Sequence, residues 1–224
     1  MATNTPKKVA VMSYSPSSFL TVRVGIENPQ EFLLHEAMVC ASSKFFRRAM
    51  NGDWAEKAQR LVKLPEDDQK IFALYVNIVC TNEIIIGSAF DQDYPNHQYR
   101  IFSLVKLYVF AEKVQDKEAK NKTIETLLHC ITKHSPVFAV DKDVKGFLPN
   151  AVAVQLMYEN SLEGSCGRRL MADLWCDART DILNESEGIC KDFFVDLIRT
   201  FHKQHPSVKK NVALTSSIKE YLEV

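Results

Sequence analysis

The stretch "FLLHEAMVCASSKFFRRAM", residues 32–50, decides between two kinds of protein. Its pair His35-Glu36 begins like the helix of a zinc protease. That motif needs a second His four residues after the first, because both imidazoles must lie on one helical face. Val39 occupies that position. We therefore predict that His35 holds no metal and marks a strand-to-helix junction, where its ring contacts nearby backbone groups.

The pattern around this junction predicts a hairpin followed by two short helices. "FLTVRVG" (19–25) alternates with period two and predicts a strand, and "EFLLH" (31–35) predicts a second one. The turn residues Asn28-Pro29 lie between them. A helical pattern begins at Glu36, breaks near Ser42-Ser43 and restarts through two phenylalanines.

Longer segments follow the stop signal Asn51-Gly52. "RLVKL" (60–64) predicts a third strand. "PEDDQKIFALYVNIVCT" (65–81) predicts a helix with its proline and acids in the first turn, where the helix dipole favours negative charge. "YRIFSLVKLYVFAEKV" (99–114) is apolar on most sides and predicts a central, buried helix, and residues 116–134 predict another.

The two ends of the chain differ from each other. Residues 1–18 are rich in Ser, Thr and Pro and are expected to form a flexible arm. Residues 134–224 show helical spacing in three segments and predict an all-α extension. The last segment carries one apolar stripe, formed by Cys190, Phe193, Phe194, Leu197, Ile198 and Phe201.

The composition is that of an ordinary globular protein, with 46% hydrophobic and 25% charged residues among 224. Lys plus Arg equals Asp plus Glu, at 28 each, so no net charge attracts nucleic acid or an anionic membrane. We find no signal peptide and no apolar run of the roughly 18 residues that a membrane span needs. A soluble, intracellular protein is expected, in either nucleus or cytoplasm.

Three further motifs contain residue types used in catalysis or binding, and none predicts a catalytic, cofactor or metal site. Cys130 and His134 share a helical face, but zinc needs at least three protein ligands and no third has a suitable spacing. Cys166 begins a predicted helix, with Ser165 as its cap, and lacks a positioned base. The seven glycines form no nucleotide-binding loop.

Basic residues do not predict nucleic-acid binding either. The segment "HKQHPSVKK" (202–210) is predicted to be a solvated tail after the last helix. Its basic residues are weak evidence for nucleic-acid binding because the segment lacks an aromatic platform. The pairs Arg47-Arg48 and Arg168-Arg169 are predicted to lie on exposed helix faces. The six cysteines are scattered, and those within apolar stretches are expected to act as small hydrophobic residues in a reducing compartment, namely Cys40, Cys80, Cys130 and Cys190.

Three blocks, in this order, resemble the BTB/POZ domain: "FLLHEAMVCASSKFFRRAMNGDWAE", "VKLPEDDQKIFALYVNIVCTNEI" and "LVKLYVFAEKVQDKEAKNKTIETL". The resemblance covers residues 19–133. The later "MYENSLEGSCGRRLMADLW" is similar to the helical region after the domain in BTB proteins of filamentous fungi that carry no second module.

The resemblance implies an α+β fold, a small sheet flanked by a helical cluster, and a non-enzymatic role in protein–protein interaction. It also implies a homodimer, or a dimer with a related BTB chain, in which the helix after the second strand packs across the two-fold axis. That helix begins at Glu36 here, and Met38 and Val39 are its candidate contacts. No small-molecule substrate is implied.

Two alternatives stay open. Some BTB proteins bind a cullin as substrate adaptors of cullin-RING ubiquitin ligases, often through a hydrophobic-x-Glu signature, and residues 84–98 hold no such triplet. The rival from another class is a thiol enzyme that uses Cys166 or Cys176.

One motif departs from the family pattern. The Tyr-Thr-Gly typical of the family is here Cys80-Thr81-Asn82, and Asn tolerates the left-handed turn.

Overall fold

The computed structural model describes residues 15, 18–84, 97–134, 148–177 and 188–204. These residues form one small sheet and nine helices, a mixed and mostly helical α+β architecture. The predicted arm lies outside them apart from two serines, as does most of the predicted loop 87–98. The elements are β1 (Phe19–Val24), β2 (Gln30–His35), β3 (Leu61–Leu64), α1 (Glu36–Ser42), α2 (Lys44–Asn51), α3 (Ala55–Gln59), α4 (Gln69–Thr81), α5 (His97–Lys113), α6 (Lys117–His134), α7 (Ala151–Glu159), α8 (Cys166–Asp177) and α9 (Lys191–Gln204).

The sheet has the strand order β2-β1-β3. β1 pairs antiparallel with β2 and parallel with β3, which confirms the predicted hairpin and third strand. Alternate residues of β1, namely Leu20, Val22 and Val24, are fully buried. Gly25 ends the strand with φ +93°, a conformation that side chains disfavour, and its N–H donates to the Leu64 carbonyl.

The break between α1 and α2 falls at Ser43, as the sequence predicts. The Ser43 hydroxyl oxygen accepts from the Phe46 N–H at 3.2 Å and so caps α2. The same hydroxyl donates to the Val114 carbonyl at 2.6 Å. Because Ser43 is completely buried, this one residue both starts a helix and ties it to the chain after α5.

Helix α4 begins later than predicted. Its N-cap is Asp68, whose carboxylate accepts from the N–H groups of Lys70 and Ile71. Pro65 therefore lies before the helix and not in its first turn, because an Asp that caps stays outside the helical conformation. At the other end Asn82 is the C-cap with φ +58°, which confirms that Asn takes the left-handed turn there.

Helix α5 is central, as predicted. It packs against α4, α6 and α7. Its buried side chains are Ile101, Ser103, Leu104, Val105, Leu107, Tyr108, Phe110 and Ala111.

The described helices of the extension pack on the first part of the chain. Gln98 of α5 donates to the Leu148 carbonyl at 2.9 Å, and the Gly167 N–H donates to the Tyr108 hydroxyl at 3.1 Å. A Cβ on Gly167 would lie 2.5 Å from the Met157 sulfur, so only glycine allows this close approach. The extension is therefore joined to α5 by specific contacts.

The prediction that Arg168 is exposed was wrong. Arg168 is 9% exposed, and its guanidinium donates to the Tyr158 and Ser161 carbonyls at the end of α7. It also stacks over the Tyr158 ring at 4.9 Å. Burial is possible because α7 ends with unpaired carbonyls that a planar, multi-donor group can satisfy. Arg169, its neighbour, is exposed as predicted.

The apolar stripe of α9 is only partly used by the core. Phe193 is fully buried, and Phe194 and Leu197 pack against the core. Ile198 is exposed. Among the described residues, the core therefore covers only part of the apolar stripe. No helix in the described ranges is long and apolar enough to cross a membrane.

Candidate protein-interaction surface

The three predicted contact residues of α1 have different environments. Glu36 is half-buried and accepts a hydrogen bond from the Arg60 guanidinium, which also donates to the Phe19 carbonyl at 2.7 Å. Arg60 has φ +52° and ends α3. Glu36 therefore holds the start of α1 to the turn before β3.

Val39, another of the candidate contact residues, is buried within the single chain. It is 1% exposed and belongs to the core cluster. The reason is that α1 packs against α4 and α6, and Val39 is the buried residue of this short helix. Its role is packing within the chain.

Met38 lies on a small apolar cleft between β2, α1 and α4. The cleft has a volume of about 160 Å³. Leu33, on the edge strand β2, is 68% exposed beside it. We call this the β2–α1–α4 cleft, and it is lined by Leu33, Leu34, His35, Met38, Val39, Tyr75, Val76, Val79 and Cys80.

Acidic, Lys and Arg side chains are absent from the lining of this cleft. Its aromatic floor is ordered, since Tyr75 packs edge-on against Phe110 with ring centroids 5.2 Å apart. Next to it, burial and then the Glu36 carboxylate raise the pKa of the Cys40 thiol to about 11. The Cys40 thiol thus stays neutral at physiological pH and is a poor nucleophile.

Cys130 and Cys166 lie in different environments. Cys130 is a buried core residue of α6, as predicted. Cys166 is exposed, with its sulfur 3.2 Å from the Arg169 guanidinium. Ser165 caps α8 by accepting from the Arg168 N–H, which confirms that prediction. Within the described residues, no cluster of three or more His, Cys, Asp or Glu is placed to hold a metal ion.

Two exposed side chains were missed by reasoning from the sequence. Leu33 was assigned to a strand, but its outward direction follows only from the observed register, in which it opposes Thr21. Trp54 is 65% exposed in the turn before α3. A tryptophan two residues after the stop signal Asn51-Gly52 was the available clue, since large aromatic residues are seldom placed in polar turns.

A scan against protein-family models and a search of curated proteins each found no match to this chain.

Proposed function

We propose that this chain is a non-enzymatic protein-interaction protein of the BTB/POZ type, which pairs with a second copy of itself or with a related chain. The observation that supports this most is the apolar β2–α1–α4 cleft with the exposed Leu33 at its rim. Strand β2 is followed directly by α1, which is the helix that the BTB resemblance places at a dimer axis.

The cleft is suited to a two-fold interface. In such an interface the same patch on both copies must be self-complementary. Leu33 of one copy can enter the cleft of the other, beside Met38, and the reverse contact follows by symmetry. The lining residues carry no carboxylate, ammonium or guanidinium, so the contact requires the desolvation of none of these groups.

Burial of Leu33 alone does not provide enough free energy to hold two copies together. Full burial of one leucine contributes about 1.5–3 kcal/mol, whereas association costs an estimated 4–15 kcal/mol. A stable dimer therefore extends beyond the cleft along β2 and α1 and buries on the order of 2,000 Å². Within it, Leu33 and Met38 are the central apolar contacts.

Co-purification of two differently tagged copies, expressed together, tests this proposal. We expect the second tag to be recovered with the first for the native chain, and to be lost for Leu33→Glu, since a carboxylate would then be buried without a partner. The matched control is Leu162→Glu, because Leu162 is similarly exposed but lies between α7 and α8. Equal recovery for Leu33→Glu and the control would refute this interface.

A further inference from the structure

A second cleft lies on another side of the first part of the chain, between α2, α3, β3 and the turn after α5. Its volume is about 280 Å³. We call it the Trp54 cleft, and its lining consists of Phe45, Arg48, Ala49, Trp54, Glu56, Val62, Lys63, Lys113 and Gln115. It shares no residue with the β2–α1–α4 cleft.

The indole of Trp54 is held at the surface by the local backbone. A Cβ on Gly52 would lie 2.1 Å from the Trp54 Cδ1 atom, so the ring rests directly against the glycine backbone. The Trp54 carbonyl accepts from the Lys57 N–H at 3.2 Å and thereby starts α3. The ring is thus packed against the backbone and also exposed to solvent. This packing lowers the conformational entropy that the side chain loses when a partner covers it.

The floor and rim of the cleft differ in character. Val62 is buried, and Phe45 and Ala49 are partly buried, so the floor is apolar. At the rim, Arg48 and Lys63 are exposed, and neither forms an ion pair with any residue that the structure describes.

The charge at the rim is positive in sum. Lys113 pairs with Asp67 at 2.7 Å, and Glu56 is the one acid in the lining. Arg47, next to Arg48, differs in that it donates to the Cys40 and Ala41 carbonyls at 2.9 Å. Arg47 therefore secures the end of α1, whereas Arg48 is left for another partner.

We propose that the Trp54 cleft binds a short acidic peptide segment of a partner protein, with one apolar side chain in the cleft and its carboxylates on Arg48 and Lys63. Tryptophan and arginine are the residue types that most often dominate interface energies. Arg48 offers the planar, multi-donor geometry that matches a carboxylate. The peptide's apolar side chain would contact the Trp54 indole and the floor at Val62.

Two other ligand classes fit less well. The volume of about 280 Å³ is at the lower edge of the roughly 300–1,000 Å³ of small-molecule sites, and it suits a single side chain better than a whole cofactor. Single-stranded nucleic acid stacks bases on aromatic rings along a basic groove. Here Glu56 stands in the rim, and the whole chain has no positive excess. A peptide with its own apolar anchor is therefore the better match.

The probes are three fluorescein-labelled peptides and the full chain. One peptide carries a single Leu flanked by Glu on both sides, the second replaces each Glu with Lys, and the third replaces the Leu with Ser. We expect the first to bind and the other two to bind at least about tenfold more weakly, as expected when a central contact is lost. Fluorescence anisotropy measures the affinities, and a labelled oligothymidine is titrated in parallel.

Three variants locate the site. Trp54→Ala and Lys63→Glu are expected to weaken binding of the acidic peptide about tenfold or more, while Arg169→Glu, a charge reversal of an exposed arginine on α8, leaves it unchanged. Acrylamide quenching adds a readout, because Trp54 is exposed and Trp175 is buried. The acidic peptide should protect Trp54 in the native chain and in Arg169→Glu.

Several results overturn the proposal. These are equal binding of the Glu and Lys peptides, unchanged affinity in Lys63→Glu, no measurable binding of the acidic peptide, or tight binding of oligothymidine instead. Lys63→Glu keeps the apolar floor and Trp54 intact, so it decides the question even where Trp54→Ala changes the fold. Self-association through the other cleft is measured separately, and neither outcome depends on the other.

Discussion

The hydroxyl of Tyr75 on α4 donates to Oδ2 of Asp116 at 3.0 Å in the interior of the molecule. Both residues are almost completely buried. The other oxygen of the same carboxylate accepts from the Ala119 N–H at 3.0 Å and caps α6. One buried carboxylate thus joins α4 to the start of α6, two of the helices that surround α1.

Removal of this hydrogen bond is expected to destabilise the protein. Tyr75→Phe keeps the ring but leaves Asp116 Oδ2 buried without its donor, which costs about 1–3 kcal/mol. Urea denaturation followed by circular dichroism measures the change. Tyr99→Phe is the control, because Tyr99 is exposed, and it should change stability by no more than about 0.5 kcal/mol. Equal effects of the two variants would contradict the role of Asp116.

Alkaline pH should unfold the protein through its buried tyrosines. Burial, and then the carboxylates Asp116 and Asp196, raise the pKa of Tyr75 and of Tyr158 above their usual values. The folded chain therefore holds these protons more tightly than the unfolded chain, whose tyrosines titrate near about pH 10. The stabilisation that the two protonated tyrosines provide is complete below about pH 10. Above this pH the free energy of unfolding falls by about 1.4 kcal/mol per pH unit for each tyrosine.

Chemical denaturation at a series of alkaline pH values checks this dependence. In Tyr75→Phe the slope of the unfolding free energy against pH should be smaller by the contribution of one proton. The reason is that one of the two tyrosines with a raised pKa is gone. An identical slope in the native chain and the variant would show that Tyr75 does not link folding to proton binding.

The adjacent arginines of α8 should differ strongly on substitution. Arg168→Met removes the donors of the Tyr158 and Ser161 carbonyls, and two buried acceptors left unsatisfied cost about 1–3 kcal/mol each. Arg169→Met changes an exposed side chain and should cost no more than about 0.5 kcal/mol. Thermal denaturation compares the two variants. Similar midpoints would show that the hydrogen bonds of Arg168 to the end of α7 do not stabilise the fold.

Thiol labelling should follow exposure and thiolate content. Cys80 and Cys166 are exposed, whereas Cys130 is buried and the pKa of Cys40 is raised to about 11 by burial and by Glu36. At neutral pH we expect iodoacetamide to modify Cys80 and Cys166 first, because the thiolate is the reactive form. Peptide mapping by mass spectrometry gives the order. A hyper-reactive Cys166 or Cys176 would instead favour the rival proposal of a thiol enzyme.

Local patterns predicted most of the elements because each depends on nearby residues. The period of two in β1, the short strand β2 after a turn and the break at Ser43 are set by neighbours in the chain, and all three were confirmed. The start of α4 was misplaced since an acidic run supports either a first turn or a cap. Only the contacts of Asp68 with the N–H groups of Lys70 and Ile71 decide between them.

The candidate sites were harder to predict because they depend on packing between distant segments. Val39 and Met38 are adjacent in sequence and both line a cleft that also needs α4, yet Val39 is buried in the core whereas Met38 is half-buried. Arg168 is buried since α7 ends against it, a fact that no local pattern contains. The Trp54 cleft combines residues from four parts of the chain.

The mass of the native chain in solution tests the central proposal most directly. Light scattering across micromolar concentrations should give twice the mass of one chain, and Leu33→Glu should give the mass of one chain at the same concentrations. A native mass of one chain throughout, with the protein folded by circular dichroism, would contradict self-association through the β2–α1–α4 cleft.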